Sequence, residues 1–442
     1  MIAPARRAAF DILREVEVRE RHADDLLHGA ALKNLSERDR ALATTLVMGT
    51  LRWQLCLDAV IAPLLRAGTR LAPEVAIALR MGLLQLWYLD RIPAHAALSE
   101  SVELAKANGF EGMAGLVNAV LRKLQRQAPP EISRASVLAH PSWMVERWRT
   151  IYGAAIAQQI CEADQRIPSL TARIGESQPK EGAGPGAFLT RAITLNGQCN
   201  APGLRVQDEG SQLVAEMAAA AAPQAMQVLD ACAAPGGKTA ILAERLPNAK
   251  IVAVDVSSTR LKLMRHLMPP RFAGQINYLQ ADATALPETA PFDLFDLILC
   301  DVPCSGTGTL ARNPEIRLRL GAGAPGQFAQ KQLQIVASCW QRLRAGGTLV
   351  YSTCSLEPEE NIQVVRRFME THRAEIVSAG VVLEAMAREK TLTEEGAALL
   401  RSSALDGEFL RTLPGVHPCD GFFVAVLRKP ADVPGAKKSV GC

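Results

Sequence analysis

From residue 206 onward the chain alternates short apolar runs with helical stretches, and that alternation leaves it few ways to fold. QVLDACAAPGGKT reads as strand, Gly-rich turn and helix start. AKIVAVDVSS, INYLQADAT, LFDLILCDVPC and GGTLVYSTCS follow as further strands, and GFFVAVLRK as a late one, expected as a hairpin partner at the sheet edge. Strands separated by helices pack as a parallel α/β sheet. Such a sheet carries its chemistry in the crevice beyond the carboxyl ends of its strands. Those ends hold Asp255, Asp282, Asp301 with Cys304, and Cys354. One acidic strand end is an ordinary helix cap. Several such ends opening on one crevice predict a site.

The rest of the chain has a different grain. Through residue 127, apolar residues recur at three and four in ARRAAFDILREVE, RDRALATTLVMGTLRWQLCLDAVIAPLL, EVAIALRMGLLQLWYLDRI and GLVNAVLRKLQRQ, the period of amphipathic helices. Breaks at Pro63, Gly68, Pro73, Pro93 and Gly109 divide this stretch into five to seven helices, and the PP at 129–130 closes it. A middle segment opening with HPSWMVERWRTIYG mixes short helices, strand-like pieces and the loop SQPKEGAGPG. The reading is an all-α N-terminal domain at 1–130, a linker subdomain at 131–205 and a Rossmann-like α/β domain at 206–442. At 442 residues, two or three domains are expected.

Composition narrows the chemistry. The ten cysteines are irregularly spaced and the seven histidines isolated, which predicts neither a disulfide framework nor a metal site. LVAEMAAAAAPQAM, interrupted by Glu216 and Pro223, is too short and mild to span a bilayer, and the N-terminus lacks the apolar core of a signal peptide. A cytoplasmic protein with no membrane partner is expected, and a monomer. Net charge is only +4, but residues 1–130 hold 17 Lys and Arg against 14 Asp and Glu, while the chain after residue 200 is balanced at 25 against 25. A phosphate-docking surface is therefore expected in the N-terminal part.

The turn AAPGGKTA ends like a nucleotide-triphosphate loop, but that motif needs a glycine where Cys232 stands, and GxGxxG is absent too. What remains is a Gly-rich turn, Cys232, Ala233, Ala234, Pro235, Gly236, Gly237 and Lys238, with Asp255 eighteen residues past Gly237. An acid there suits ribose hydroxyls, and Asp282 is placed to accept from an adenine amino group. A ribose and an adenine without a pyrophosphate cradle fit S-adenosylmethionine. With a methyl donor, the two cysteines acquire work. Carbon-5 of cytosine is a poor nucleophile until a thiolate adds to carbon-6, and Cys354 is suited to that addition. Asp301 can hold a proton at ring nitrogen-3, and Cys304 is a candidate to remove the carbon-5 hydrogen. Lys238 is the nearest cation for stabilising the thiolate or for contacting the base. Small apolar cysteines also merely fill strand ends, but the Gly-rich turn upstream argues for chemistry.

VQDEGSQLVAE, VLDACAAPGGKT, DVPCSGTGT and VYSTCS, in this order, resemble the Sun (Fmu) family of RNA 5-methylcytosine methyltransferases over roughly residues 140–442. GTLRWQLCLDAVI and ALRMGLLQLWYLDRIPAHAALSESVELAK resemble the NusB-like RNA-binding domain of its bacterial 16S rRNA members. The resemblance implies a class I S-adenosylmethionine-dependent methyltransferase domain acting on small-subunit ribosomal RNA. It implies Cys354 as nucleophile, Cys304 as the residue needed for product release, and Cys232 to Lys238 as the donor loop. Asp255, Asp282 and Asp301 would line the same pocket. Action on tRNA or another RNA is the alternative, and a non-catalytic rRNA-binding assembly factor the reading from another class. The stretch VVLEAMAREKTLTEEGAALLRSS within 380–412 is an insertion without an assigned role.

Overall fold

The computed structural model describes residues 2–175, 182–195, 204–287 and 293–431. Residues 177–181 of the Gly/Pro-rich loop thus lie outside the described residues. The chain forms two compact units. The first runs to Pro168 and also takes in Thr309–Ala322; the second is Ser169–Gly308 with the chain from Gly323 onward.

The first unit is helical. Helices Pro4–Arg19, Ala23–Leu27, Glu37–Ile61, Pro73–Tyr88, Ala94–Lys106 and Ala114–Gln125 follow the periodicity of the sequence. Pro73 opens one helix and Pro93 caps the next, while Gly68 and Gly109 sit at positive φ in the links. Ser36 starts the longest helix by accepting from the Asp39 N–H at 3.1 Å. That helix, continued to Leu64, is long and apolar enough to cross a membrane, yet more than half of its most apolar stretch is buried inside the unit. Arg80 ties three helices, with 2.6 and 2.9 Å bonds to Asp58 and one of 2.8 Å to Glu17. Three more helices, Ile132–Leu138, Ser142–Tyr152 and Ala154–Gln165, complete the run. Segment Thr309–Ala322 is held among these helices. Arg317, 1% exposed, donates to the Ala139 and Leu310 carbonyls, and Leu318 packs on the helical core. Burial pushes the Arg317 guanidinium down to about 10, against the pull of Asp164.

The second unit opens with a small antiparallel sheet, β1 Leu170–Arg173, β2 Ala183–Pro185, β3 Ala192–Leu195 and β4 Arg205–Val206, in the order β2-β3-β1-β4. The large sheet follows with β5 Gln227–Asp230, β6 Lys250–Asp255, β7 Ile276–Gln280, β8 Phe295–Asp301 and β9 Leu343–Thr353. These five run parallel in the spatial order β9-β8-β5-β6-β7. Their apolar residues are buried on both faces, as a sheet covered by helices requires. This is the α/β domain expected from the alternation.

The late strand differs from expectation. After β10 Glu375–Val377, β11 Leu405–Asp406 and β12 Phe409–Arg411 comes β13 Phe423–Arg428, which pairs antiparallel with β9 and with both β10 and β12. It is interior rather than an edge. The reason is legible afterwards: FVAVL is apolar at every position, and all five residues are buried. The 380–412 stretch supplies helices Ala379–Arg388 and Glu394–Leu399 and the hairpin β11–β12, which extends the sheet beyond β13.

One glycine tests the packing of the first unit. A Cβ on Gly82 would lie 2.5 Å from Ser101 Oγ and 2.6 Å from Leu121 Cδ1. An exposed helical Gly→Ala change gains about 1 kcal/mol, whereas overpacking a core costs about 1–3 kcal/mol. Gly82→Ala should therefore lower stability in denaturant unfolding; a gain would show that the helices do not pack this closely.

Candidate active site

Strand order reverses at β5, which has β6 on one side and β8 on the other. Ligands of open α/β sheets bind at such a switch point; of the residues singled out from the sequence, Cys232–Lys238 and Asp301 line the cavity there, and Asp255, Asp282, Cys304 and Cys354 are not part of that lining. The turn Cys232–Lys238 links β5 to helix Gly237–Arg245. Asp230, closing β5, accepts from Thr239 Oγ1 at 2.6 Å and so ties the strand to the helix. Burial pushes its carboxyl up to about 7, with the Thr239 bond opposing and the Asp301 charge adding. The Ala233 N–H donates to the Val254 carbonyl at 2.8 Å. Gly236 adopts φ +104, and a Cβ there would meet Met264 Cγ at 2.7 Å. Only glycine fits that position.

Asp255 ends β6 with its side chain 4% exposed. Its Oδ1 accepts from the Ser257 N–H at 2.9 Å, and its Oδ2 faces Arg260 at 3.3 Å. Asp282 lies two residues past β7 and is exposed; its Oδ1 accepts from the Thr284 N–H and hydroxyl at 2.9 and 2.8 Å. Those bonds hold the Asp282 carboxyl below its ordinary range. Each of these two aspartates is thus held by neighbours in sequence. A carboxylate offers about four acceptor positions, so capacity for ligand hydroxyl or amino groups remains on both.

Asp301 and Lys238 are brought together. Lys238 Nζ lies 2.7 Å from Asp301 Oδ2 and donates to Ser211 Oγ at 2.8 Å, with the Phe422 ring beneath it at 5.3 Å. Burial pulls the ammonium down, but the Asp301 pair outweighs it and the net shift is upward. Ser352 donates to Asp301 Oδ1 at 2.6 Å. Lys238 was expected to serve a thiolate or a base, and its direct partner is this carboxylate. A cavity of about 710 Å³ opens here, lined by Lys238, Asp301 and Asp230 together with Arg205, Met268 and Arg271.

The two thiols meet at the ends of adjacent parallel strands. In the β8–β9 register Asp301 faces Ser352; Cys304 lies three residues beyond the one and Cys354 two beyond the other. Their Sγ atoms are 3.3 Å apart, both unoxidised and half-buried. The bond to Cys354, followed by burial, pushes the Cys304 thiol well above its ordinary range. The loop after Cys304 is stitched down by backbone. Gly308 N–H donates to the Cys354 carbonyl at 2.9 Å, and Gly421 N–H donates to the Gly308 carbonyl at 2.8 Å. Among the described residues no three His, Cys, Asp or Glu side chains are grouped to hold a metal.

Sequence reasoning missed Ser211, Arg260 and Ser352, which complete these pairs, and the Ser305, Ser355 and Glu360 cluster behind the thiols. Ser352 meets Asp301 because the β8–β9 register sets VYS alongside LCD.

Comparison with known proteins gives the family. A family model described as 16S rRNA methyltransferase RsmB/F matches residues 218–428, a NusB family model matches 3–126, and an RsmF/B-like ferredoxin-like domain matches 140–181. The probable ribosomal RNA small subunit methyltransferase B of Bacillus subtilis is 32% identical, with 96% of this chain and 98% of that one aligned. The ribosomal RNA small subunit methyltransferase B of Yersinia pseudotuberculosis is 33% identical over 90% of this chain and 92% of that one. The crystal structure of PH0851 shares the fold at TM-score 0.77 and 23% identity, covering 97% of this chain and 99% of that one. NSun6 from Pyrococcus horikoshii, solved with SFG, reaches TM-score 0.52 at 18% identity, covering 66% of this chain and 99% of that one.

The stitched loop yields a test. A Cβ on Gly308 would fall 2.3 Å from the Gly421 carbonyl oxygen and 2.9 Å from that of Cys354. Both neighbours are backbone and cannot rotate away. Gly308→Ala should displace the thiol loop, cutting any activity that uses both cysteines at least about tenfold, roughly 1.4 kcal/mol in the barrier. Wild-type turnover in the variant would rule out a fixed Cys304–Cys354 spacing as a requirement.

Proposed function

The chain belongs to the RsmB/F family of 16S rRNA methyltransferases, and we propose that its target atom is carbon-5 of a cytosine in that RNA. The observation that carries this reading is the pair of thiols at 3.3 Å, on strands whose paired residues include Asp301. Electrophilic substitution at carbon-5 needs a nucleophile on carbon-6 and a separate base, and two cysteines of unequal character supply both.

Cys354 is the nucleophile. Its proton passes by way of Asp301 to ring nitrogen-3, its sulfur bonds to carbon-6, and the carbon-5/carbon-6 π pair moves to carbon-5. Bound S-adenosylmethionine supplies the electrophilic methyl group that carbon-5 takes up. Cys354 is then a neutral thioether and no longer opposes ionisation of Cys304. Cys304 sheds its own proton to solvent and takes the hydrogen from carbon-5. The electron pair of that C–H bond restores the carbon-5/carbon-6 double bond and expels the Cys354 thiolate, which takes back the nitrogen-3 proton through Asp301. Lys238, paired with Asp301, holds that carboxylate in place.

The donor site fits the residues present. The turn Cys232–Lys238 is closed by small residues and by Gly236, whose backbone no larger residue could adopt without strain. Asp255 would take the ribose hydroxyls and Asp282 the adenine amino group, each retaining free acceptor capacity. Arg205 and Arg271 on the cavity wall suit a phosphodiester of the RNA. Carbon-5 is hidden in a stacked helix, so the cytosine is taken from a loop or flipped out. The NusB-like helices dock the RNA, and the protein works in the cytoplasm.

Two measurements test this. Replacing Asp255 with Ala removes a charge-assisted hydrogen bond of about 1.5–3 kcal/mol, so donor affinity in calorimetry should fall at least about tenfold; unchanged affinity removes the ribose assignment. For the thiols, Cys354→Ala should abolish methylation and give no covalent adduct. Cys304→Ala should add, accept the methyl and stall, accumulating a protein–RNA species that survives denaturing gel electrophoresis. The reverse pattern would exchange the two roles, and no adduct from either would end the covalent reading.

A further inference from the structure

Behind the two thiols lies a carboxylate that the chemistry above does not use. Glu360 is 0% exposed. It follows Cys354 by six residues, yet its side chain turns back toward the other cysteine loop. The Ser305 N–H donates to both of its oxygens, at 2.9 and 3.2 Å, and Ser305 Oγ donates to Oε2 at 2.7 Å. Ser305 is the residue after Cys304. Ser305 Oγ in turn lies 3.0 Å from Oγ of Ser355, the residue after Cys354. The glutamate's own backbone is fixed as well, since the Tyr351 hydroxyl from β9 lies against the Glu360 carbonyl and 3.1 Å from Gln332 Oε1. Gln332 Nε2 also donates to the Pro303 carbonyl at 3.0 Å, just before Cys304.

We propose that Glu360 is a positioning residue for the thiol pair: one buried carboxylate locks the turn bearing Cys304 to the turn bearing Cys354. The inference rests on the two-thiol reading above and deepens it. A buried carboxyl without a structural or functional task is costly, and hydrophobic residues of similar size pack as well. Glu360 instead accepts bonds from the backbone and side chain of the residue beside one sulfur and reaches the residue beside the other through a single hydroxyl.

The lock also bears on the Cys304 proton. The groups that repel charge on Cys304 are Cys354 first and Glu360 after it, with burial acting in the same direction. Cys304 is therefore held as the thiol, 3.3 Å from the Cys354 sulfur. Glu360 thus acts on the nucleophile through its neighbour in the pair. The ionisable groups facing Glu360 are Glu357 on its own turn, Cys304 on the loop after β8 and Tyr351 on β9. Burial pushes the Glu360 carboxyl up to about 7, with the Ser355 and Ser305 bonds opposing and Glu357 adding. A carboxyl raised in this way ionises as pH climbs through that value, so the lock strengthens toward alkaline pH.

Glu360→Gln keeps the shape and removes the charge. In the full-length variant, alkylation of Cys304 by iodoacetamide, followed by mass spectrometry of its peptide across pH, should show a half-point about one unit lower than wild type, the usual size of a close like-charge effect. Single-turnover methylation of RNA should slow at least tenfold while RNA affinity stays within twofold. An unmoved half-point, or turnover within twofold of wild type, overturns the proposal. Should Glu360→Gln fail to fold, Ser305→Ala decides, because it deletes the hydroxyl bonds to Glu360 and Ser355 and leaves the charge. Methylation should then slow several-fold with the alkylation profile unmoved, and a wild-type rate overturns the lock. The alkylation arm needs neither RNA nor donor, so it stands even if the RNA reading fails.

Discussion

Everything at this site hangs on the parallel pairing of β8 with β9. The register that sets Asp301 against Ser352 brings the next few residues of both strands out of the sheet side by side, and two thiols fifty residues apart in sequence arrive 3.3 Å apart in space. Because side chains alternate across a strand, a slip of one residue would turn one cysteine to the other face of the sheet. The register is well defended. β8 and β9 are buried on both faces, and β13 covers the outer flank of β9 along six paired positions. The late antiparallel strand thus fixes the geometry of a pair it does not touch.

A second theme is the use of buried carboxylates as struts. Glu209, 1% exposed, accepts from the backbone N–H groups of Ala187, Phe188 and Leu189 at 2.7–2.8 Å. Asp230 ties β5 to the following helix through Thr239, and Glu360 gathers the thiol turns. In each case the group is dehydrated, which raises its pKa, and hydrogen bonds oppose that rise. The loop held by Glu209 is packed as well, with Phe188 and Leu189 in the core, whereas the turns joined at Ser305 and Ser355 meet through hydroxyls. Directional bonds to an acceptor with several lone pairs do what packing cannot.

The sequence was most legible where local chemistry leaves one option. A Gly-rich turn after an apolar run, and acids or thiols closing the next runs, located β5 to β9, because strand ends are marked by residues that strands avoid. Pro73, Pro93, Gly68 and Gly109 located the helix breaks for the same reason. Pair partners were less legible. Nothing in EPEEN distinguishes Glu360, which turns inward and is fully buried, from Glu359 beside it. Lys238 reads as a free cation until the fold sets Asp301 opposite. The position of β13 was misjudged because a terminal strand is assumed to be an edge, although its unbroken apolar pattern already required cover on both faces.

The contribution of Thr309–Ala322 to the helical unit has a consequence for how this protein can be taken apart. The polypeptide enters that unit twice, so the two units are not beads joined by a single string. Cutting the chain after Pro168 would not release the helices as a self-sufficient module. It would strip them of Arg317, whose guanidinium is dehydrated among their carbonyls, and of Leu318 from their core. The nicked halves should instead stay associated, as the fragments of a complemented protein do. A recombination event that grafted the first 168 residues onto another enzyme would inherit a helical bundle with a groove where a foreign segment used to lie.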